Sequence, residues 1–162
     1  MVDSPVIDAS PLIFLTKADK LDLLQQVINN EIIVPVAVEA EIQQYGNQDI
    51  TRQALAQTSW LVVVDTPKIP NVIQSYHLGA GESAVLTWAY VNRNSEAIID
   101  DLAARRCASS LGIPVRGTLG LVLTAKQRGI IPAARPIIEQ LLTKGMYLSS
   151  NVINQALALV GE

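Results

Sequence analysis

The stretch EAIIDDLAARR, residues 96–106, places two adjacent acids between an apolar run and an amphipathic run. Residues 97–99 read Ala-Ile-Ile, which is typical of a buried strand. Asp100 and Asp101 follow at once, and a helical pattern begins after them. A carboxylate at the N-cap accepts hydrogen bonds from the first turn of a helix. We therefore predict that Asp101 caps the helix, which leaves Asp100 for another role.

Similar apolar runs alternate with helical patterns along the whole chain. They lie within residues 6–7, 32–34, 60–65, 97–99 and 113–117. The runs are apolar along their length, which is typical of strands buried on both faces of a parallel sheet. The sequence therefore predicts an α/β protein, a three-layer α/β/α sandwich with a central parallel sheet of four to five strands. We expect residues 1–162 to form one domain.

Capping residues predict several helix boundaries. Ser10 followed by Pro11 is typical of a hydroxyl N-cap with proline at the first helical position. Thr118 is the expected N-cap of a later helix, and Gly46 is the expected C-cap of the helix that follows the second strand.

The composition limits the class of protein. The chain has 162 residues, of which 49% are hydrophobic and 17% charged, so a packed globular protein is expected. No apolar run approaches the ~18 residues of a membrane helix. The N-terminus MVDSPVID has no basic segment, so we predict no secretory signal. Cys107 is the single cysteine, which fits a reducing cytoplasm and, with a single histidine, argues against a zinc site.

The net charge of −3 hides an asymmetry. Residues 1–100 hold 5 Lys/Arg and 12 Asp/Glu, a net charge of −7, whereas residues 101–162 hold 7 and 3, a net charge of +4. An acidic half beside a basic half is compatible with a metal site next to a groove for a polyanion. Ordinary scatter of surface charge explains the same numbers, and both interpretations stay open.

Acids follow several of the predicted strands. Asp8 ends the first strand and Asp100 the fourth, Glu39 and Glu41 follow the second strand, and Glu82 lies in the helix after the third. Ligands bind beyond the carboxyl ends of parallel strands, so these acids meet if strands one and four are neighbours. Carboxylates without basic partners repel one another, and a divalent cation such as Mg²⁺ or Mn²⁺ is the commonest reason for gathering them. Neutralising Asp100 should relieve this repulsion when no metal is present.

Each acid also has a purely local interpretation. Asp8 is able to bond to backbone amides of its turn, and an acid at the position of Glu82 is favoured by the helix dipole alone. One of Glu39 and Glu41 is expected to face water. The joint placement of the acids is therefore the stronger argument.

Other candidate residues point to the core or to the surface. We expect Trp60, Trp88 and Tyr90 to pack in the core rather than to stack on bases. We expect His77 to lie in a surface loop and Cys107 to be a small buried residue.

Five segments, distributed over essentially the whole chain, resemble the PIN domain. The segments are VIDASPLI, VPVAVEAEI, GAGESAVLTWA, AIIDDLAARRCASSLGIPVRGTLGLVLTAKQRGII and LSSNVINQALALVGE. The resemblance is strongest to a VapC-like nucleic-acid-binding branch that carries a Gly-Thr-Leu-Gly motif. It implies an α/β/α nuclease fold, and many such proteins are toxins of prokaryotic toxin–antitoxin pairs that cut RNA with Mg²⁺ or Mn²⁺.

The resemblance also implies the residues of the site. The catalytic and metal-binding acids that it implies are Asp8, Glu41, Glu82 and Asp100. Supporting residues are expected at Ser10, Asp101 and Thr118. Many PIN toxins carry Asp at the third acidic position, so Glu82 lengthens that arm by one methylene.

The expected chemistry fits this set of residues. Hydrolysis of a phosphodiester needs an activated water and neutralised phosphate charge, and hard cations held by carboxylates supply both. The candidate phosphate contacts are Arg105, Arg106, Arg116 and Lys126. Solvated helix faces are the alternative explanation for these four residues.

Two functions follow from these expectations. The first is a metal-dependent ribonuclease, as the toxin of a toxin–antitoxin pair, with RNA as substrate, an antitoxin protein as partner and a homodimer as the assembly. The alternative is a catalytically weak RNA-binding or regulatory module with the same fold.

Two other classes of protein fit the sequence less well. A response-regulator domain would need its acid pair after the first strand, whereas here the pair follows the fourth. A dinucleotide-binding domain would need a glycine-rich turn there, and DASPLI has no glycine.

Overall fold

The computed structural model describes residues 3–162 and contains one parallel sheet of five strands. The strands are β1 Val6–Ile7, β2 Ile32–Pro35, β3 Leu61–Val64, β4 Ala97–Ile98 and β5 Val115–Arg116. Their order in the sheet is β3-β2-β1-β4-β5. Met1 and Val2, which begin the N-terminal stretch considered for a secretory signal, lie outside the described residues.

Helices flank the sheet and complete the predicted α/β/α sandwich. They are α1 Ala9–Lys17, α2 Leu21–Ile28, α3 Val36–Gln43, α4 Ile50–Gln57, α5 Asn71–Gln74, α6 Ala80–Val91, α7 Leu102–Ser110, α8 Thr118–Gln127, α9 Arg135–Thr143 and α10 Ser150–Leu159. Within residues 3–162, no helix combines the length and the apolar character needed to span a membrane.

The position of each strand in the sheet decides how it is buried. The two residues of β1 and the two of β4 are fully buried, as the continuous apolar runs predict. β3 differs, because Leu61 is buried whereas Val63 is 37% exposed. It lies at one end of the sheet, and neither of its faces is fully covered, because Val62 and Val64 on the other face are only partly buried. The prediction that this strand is buried on both faces was therefore wrong.

The order of the strands reverses between β1 and β4. The chain builds outward from β1 through β2 to β3, and then returns to the other side of β1 to place β4 and β5. Val6 pairs with Ala97 and Ile7 with Ile98, so β1 and β4 end at the same level. This reversal is the switch point at which ligands bind in open parallel sheets. The condition stated for the acids to meet, that strands one and four are neighbours, is confirmed.

The helix boundaries differ from the predictions at three residues. α1 begins at Ala9, so Asp8 and not Ser10 holds the N-cap position. Pro11 lies in the first turn, where the missing N–H costs nothing because those groups have no acceptor within the helix. α8 begins at Thr118, with Gly117 at the N-cap. α3 ends at Gln43, before Gly46.

One predicted cap is confirmed. The Asp101 carboxylate accepts a hydrogen bond from the Ala104 backbone N–H at 2.9 Å, and Asp101 occupies the N-cap of α7. Asp100 is therefore free of this role, as the pattern of two adjacent acids indicates.

Candidate active site

Four acids surround one cleft at the carboxyl edge of the sheet. Asp8 follows β1, Glu41 lies on α3, Glu82 on the first turn of α6, and Asp100 follows β4. Asp8, Glu82 and Asp100 line a cavity of about 300 Å³. Asp8, Glu41 and Glu82 line a second cavity of about 320 Å³. The two cavities share Asp8 and Glu82, and we refer to them together as the acidic cleft.

Asp8 is the most buried of these acids. Its side chain is 4% exposed, and its Oδ1 atom has no hydrogen-bond partner within the described residues. Burial, together with the charges of Glu82, Glu41 and Asp100, raises the pKa of Asp8 to about 7, although a hydrogen bond from the Ala9 backbone N–H acts in the opposite direction. A buried carboxylate without a partner is costly unless it is protonated or binds a cation.

Gly81 allows two carboxylates to approach the same point. A Cβ atom at this position would collide with Glu41 Oε1 and would lie 3.2 Å from Asp8 Oδ1. Burial and the charge of Glu82 raise the pKa of Glu41, whereas a hydrogen bond from the Gly81 backbone lowers it. The first turn of α6 therefore forms a cradle for the carboxylates of Asp8 and Glu41, which any side chain at position 81 would fill.

Asp100 is held differently. Its Oδ1 accepts a hydrogen bond from the Thr118 backbone N–H at 2.7 Å, and its Oδ2 accepts one from Thr118 Oγ1 at 2.7 Å. Ser10 Oγ lies 3.5 Å from the same Oδ2 atom. Because these donors stabilise the charged form, neutralising Asp100 is not expected to relieve much repulsion. We expect neutralisation of Asp8 to relieve the repulsion instead, because its Oδ1 has no donor among residues 3–162.

The supporting residues lie close to these acids. Thr118 is fully buried and supplies both of the shorter hydrogen bonds to Asp100. Ser10 lines both cavities, and Asp101 lines the cavity that contains Asp100. The three residues therefore lie at the acidic cleft, although Ser10 and Thr118 act on Asp100 rather than as N-caps.

The carboxylates fit a hydrated cation better than a fully dehydrated one. Within residues 3–162, no group of three acidic, histidine or cysteine side chains is arranged to hold a metal ion directly. Mg²⁺ usually keeps several waters and takes one or two carboxylates as protein ligands. The unpartnered Oδ1 of Asp8 and the adjacent Glu41 carboxylate suit such an ion.

Two of the four predicted phosphate contacts lie on the helix that follows Asp100. Arg105 Nη1 and Asp100 Oδ1 lie 2.7 and 3.0 Å from the point where a Cβ atom of Gly117 would be. The Arg105 guanidinium therefore borders the site across this glycine. Arg106 is exposed on the same helix, α7.

The other two predicted contacts are not brought to the acids. Arg116 Nε pairs with Glu96 Oε1 at 3.2 Å, and both residues line a cavity with Pro5 and Pro114 near the amino ends of the strands. Lys126 Nζ donates to the Pro132 carbonyl at 2.8 Å, near the C-terminal end of α8. The expectation that Arg116 and Lys126 contact phosphate at the acids is therefore not met, and the Arg116 side chain lies toward the opposite edge of the sheet.

The acidic cleft is also lined by a positively charged side chain, Lys17, which the sequence analysis missed. Ser10, Ile13, Phe14 and Lys17 line the 320 Å³ cavity. Their spacing of i, i+3, i+4 and i+7 places them on one face of α1. This spacing, counted from Ser10, was a signal from which Lys17 could have been found.

Two tyrosines that the sequence analysis did not consider also line the cleft. Tyr45 lines the cavity with Glu41, and Tyr147 lines the cavity with Asp100. No local pattern predicts the position of Tyr147, because residues far apart in the chain bring its loop to the cleft. Trp60, Trp88 and Tyr90 pack against the core, as predicted.

We expect Asp8 to make the metal-free protein less stable as the pH rises. Its pKa is raised from 3.8 to about 7 in the folded state, so its contribution to stability is fully present below pH 3.8 and is lost as the pH rises through about 7. Between pH 5 and pH 8, Asp8→Asn should therefore gain about 3 kcal/mol in unfolding free energy relative to the wild type.

The measurement is urea unfolding at both pH values in EDTA. Asp22→Asn, which removes an exposed acid of α2 that lines neither cavity, serves as the control and should follow the wild type. Parallel pH dependence of the wild type and Asp8→Asn would contradict this account of Asp8.

Gly81→Ala should weaken metal binding without changing any charge. Its Cβ atom would displace the Glu41 carboxylate from the cradle. The helix should not suffer, because alanine is favoured over glycine within a helix by about 1 kcal/mol. We expect Mn²⁺ to raise the melting temperature of this variant less than that of the wild type.

Gly46→Ala is the matched control, because a Cβ atom at position 46 would meet nothing within 4 Å. Its Mn²⁺-induced shift in melting temperature should equal that of the wild type. An equally large shift in Gly81→Ala would show that the cradle is not involved in metal binding.

Comparison with known protein families agrees with this architecture. A family model described as a PIN domain matches residues 4–162. A search among curated proteins finds no match. The family match spans all five strands of the sheet and every acid of the cleft. The chain belongs to the PIN domain family.

Proposed function

We propose that this protein is a metal-dependent ribonuclease that hydrolyses RNA phosphodiester bonds with Mg²⁺ or Mn²⁺. PIN domains have a nuclease-type fold, which implies a nucleic acid as substrate. The observation that carries the proposal is the buried, unpartnered Oδ1 of Asp8 among three further carboxylates at the switch point of the sheet. A bound cation would stabilise the charged form of such a cluster.

The residues of the cleft would have different roles in this reaction. Asp8 and Glu41 would hold the ion, and Glu82 would contribute through water or directly. When bound, the ion lowers the pKa of a water molecule and neutralises charge on the phosphate. Thr118 and Ser10 hold the Asp100 carboxylate in a fixed orientation toward the cleft. Arg105, across Gly117, supplies positive charge for a phosphate on that side.

Asp8→Asn and Asp100→Asn should each abolish Mn²⁺-dependent RNA cleavage. Both substitutions remove a charge and keep the size of the side chain. Asp101→Asn is the matched control and should retain most activity, because asparagine also caps helices well. The assay is cleavage of a labelled RNA with Mn²⁺ and with EDTA, using proteins purified in parallel. Full activity in Asp8→Asn would overturn the assignment of the site.

Phosphate contacts should appear in the salt dependence of RNA binding. Binding to a polyanion releases counterions, so the affinity falls with the logarithm of the salt concentration. Arg105→Gln should reduce that slope by about 1, because one phosphate contact is lost. Arg116→Gln is the control, since Arg116 pairs with Glu96 away from the cleft. The measurement is a titration of labelled RNA at several salt concentrations. Equal slopes in all three proteins would exclude Arg105 as a contact.

One observation favours the alternative function, a catalytically weak RNA-binding or regulatory module. No three acidic, histidine or cysteine side chains among residues 3–162 are arranged to hold an ion directly. This module would bind RNA with the same salt dependence but would leave it intact in Mn²⁺. The cleavage assay above therefore separates the two functions.

The biological setting forms the remaining part of the proposal. We propose that the ribonuclease is the toxin of a toxin–antitoxin pair, that it acts in the cytoplasm and that it forms a homodimer. The resemblance of the sequence to VapC-like proteins supports the toxin role. The single cysteine, which is buried, supports a reducing compartment. Exposed apolar side chains such as Leu102 and Leu159 are available for a contact between two copies.

A further inference from the structure

We propose that Tyr45 and Tyr147 stack on unpaired bases of the RNA on two sides of the acidic cleft. This inference rests on the proposed function, because it names side chains of this chain that would contact the RNA at the same cleft. It follows from the exposure of the two rings, their anchored backbones and the charge of the cleft between them.

Tyr147 presents its ring to solvent at the edge of the cleft. Its side chain is 87% exposed, the largest value among the exposed large hydrophobic residues of the described chain. It lines the same cavity as Asp8, Glu82 and Asp100. A single exposed aromatic residue is common on protein surfaces, but this one lies beside three of the four acids of the cleft.

The backbone that carries Tyr147 is anchored although its ring is free. The preceding residue, Met146, is buried, and its N–H donates to the Leu141 carbonyl at 3.1 Å. Gly145 has a φ of +105°, and a Cβ atom there would lie 4.0 Å from Phe14 Cε1. The loop between α9 and α10 therefore packs against α1. Because its backbone is already held, binding of a base would order only the Tyr147 side chain. Such preorganisation lowers the entropic cost of binding.

Tyr45 occupies the other cavity in a similar way. It is 49% exposed and lines the cavity with Glu41 and Lys17. Arg52 Nη1 donates to the Tyr45 carbonyl at 3.1 Å and to the Gln43 carbonyl at 3.3 Å. This residue of α4 fixes the end of α3, where Tyr45 follows Glu41 by four residues. Tyr45 therefore also combines a held backbone with an available ring.

The charge of the cleft explains why aromatic contacts are needed. Four carboxylates repel an RNA backbone wherever no cation lies between them and the phosphates. Bases are neutral, and stacking on an aromatic ring tolerates any base sequence. Lys17 beside Tyr45 and Arg105 beside Asp100 supply the positive charge at the two sides. Bases within a duplex are already stacked and paired, so only unpaired bases are able to reach the tyrosines.

The test measures binding of RNA without cleavage. All proteins carry Asp100→Asn, so the RNA stays intact whether or not the wild type is a nuclease. The probe is a 10-nucleotide RNA containing 2-aminopurine, whose fluorescence is quenched by stacking, and the same sequence as a duplex is the comparison. Mn²⁺ is present throughout. Tyr147→Ala and Tyr45→Ala should each weaken binding of the single strand about tenfold and reduce the quenching.

Two variants keep the test specific. Tyr147→Phe retains the ring and should bind the single strand as tightly as the parent does. A loss of affinity in Tyr147→Ala but not in Tyr147→Phe would then be due to the missing ring. Tyr76→Ala removes a tyrosine that is 38% exposed but lines neither cavity, and it should change nothing. The duplex should bind equally to the parent and to every tyrosine variant.

Several outcomes would overturn the inference. Unchanged binding of the single strand in both alanine variants would show that the tyrosines serve another purpose, such as docking a protein. Equal losses for the single strand and the duplex, or no RNA binding by the parent, would also overturn it. Tyrosine-dependent binding together with no cleavage by the wild type in Mn²⁺ would support the stacking and refute the proposed nuclease.

Discussion

The candidate site depends on one constraint, the burial of the Asp8 carboxylate at the end of the central strand. The sheet order β3-β2-β1-β4-β5 places Asp8 between the two halves of the sheet, where only 4% of its side chain is exposed. Its Oδ1 has no hydrogen-bond partner within the described chain. Because three other acids surround it, the fold keeps a local electrostatic cost that a more conventional core would avoid. Such a cost is typical of functional sites.

The two sides of the cleft treat their acids in opposite ways. Asp100 accepts short hydrogen bonds from the backbone and the hydroxyl of Thr118, which neutralise much of the cost of its charge. Asp8 and Glu41 share the cradle above Gly81, where the neighbouring charge is negative. A cation would therefore stabilise the Asp8 side most, whereas Asp100 is already oriented by its hydrogen bonds. This asymmetry explains how four acids coexist in a stable fold.

The basic half of the sequence does not form one continuous surface at the cleft. Arg105 borders Asp100, but Arg116 pairs with Glu96 near the opposite edge of the sheet, and Lys126 binds a carbonyl near the end of α8. Lys17, from the acidic half of the sequence, lies in the cleft instead. Because few basic side chains lie near the acids, binding of a nucleic acid there needs contacts other than ion pairs. The exposed rings of Tyr45 and Tyr147 are suited to that role.

Local chemistry determined much of this protein from its sequence. The continuous apolar runs predicted the strands, the position of Asp101 before a helical pattern predicted its cap, and the acids at strand ends predicted the edge of the site. These features depend on residues close together in the chain. Only the tertiary structure decided that β1 and β4 are neighbours, that β3 is an edge strand, that Arg116 lies away from the acids and that Tyr147 lies beside them. Each of these depends on contacts between residues distant in the chain, and those contacts form only when the strands and helices pack together.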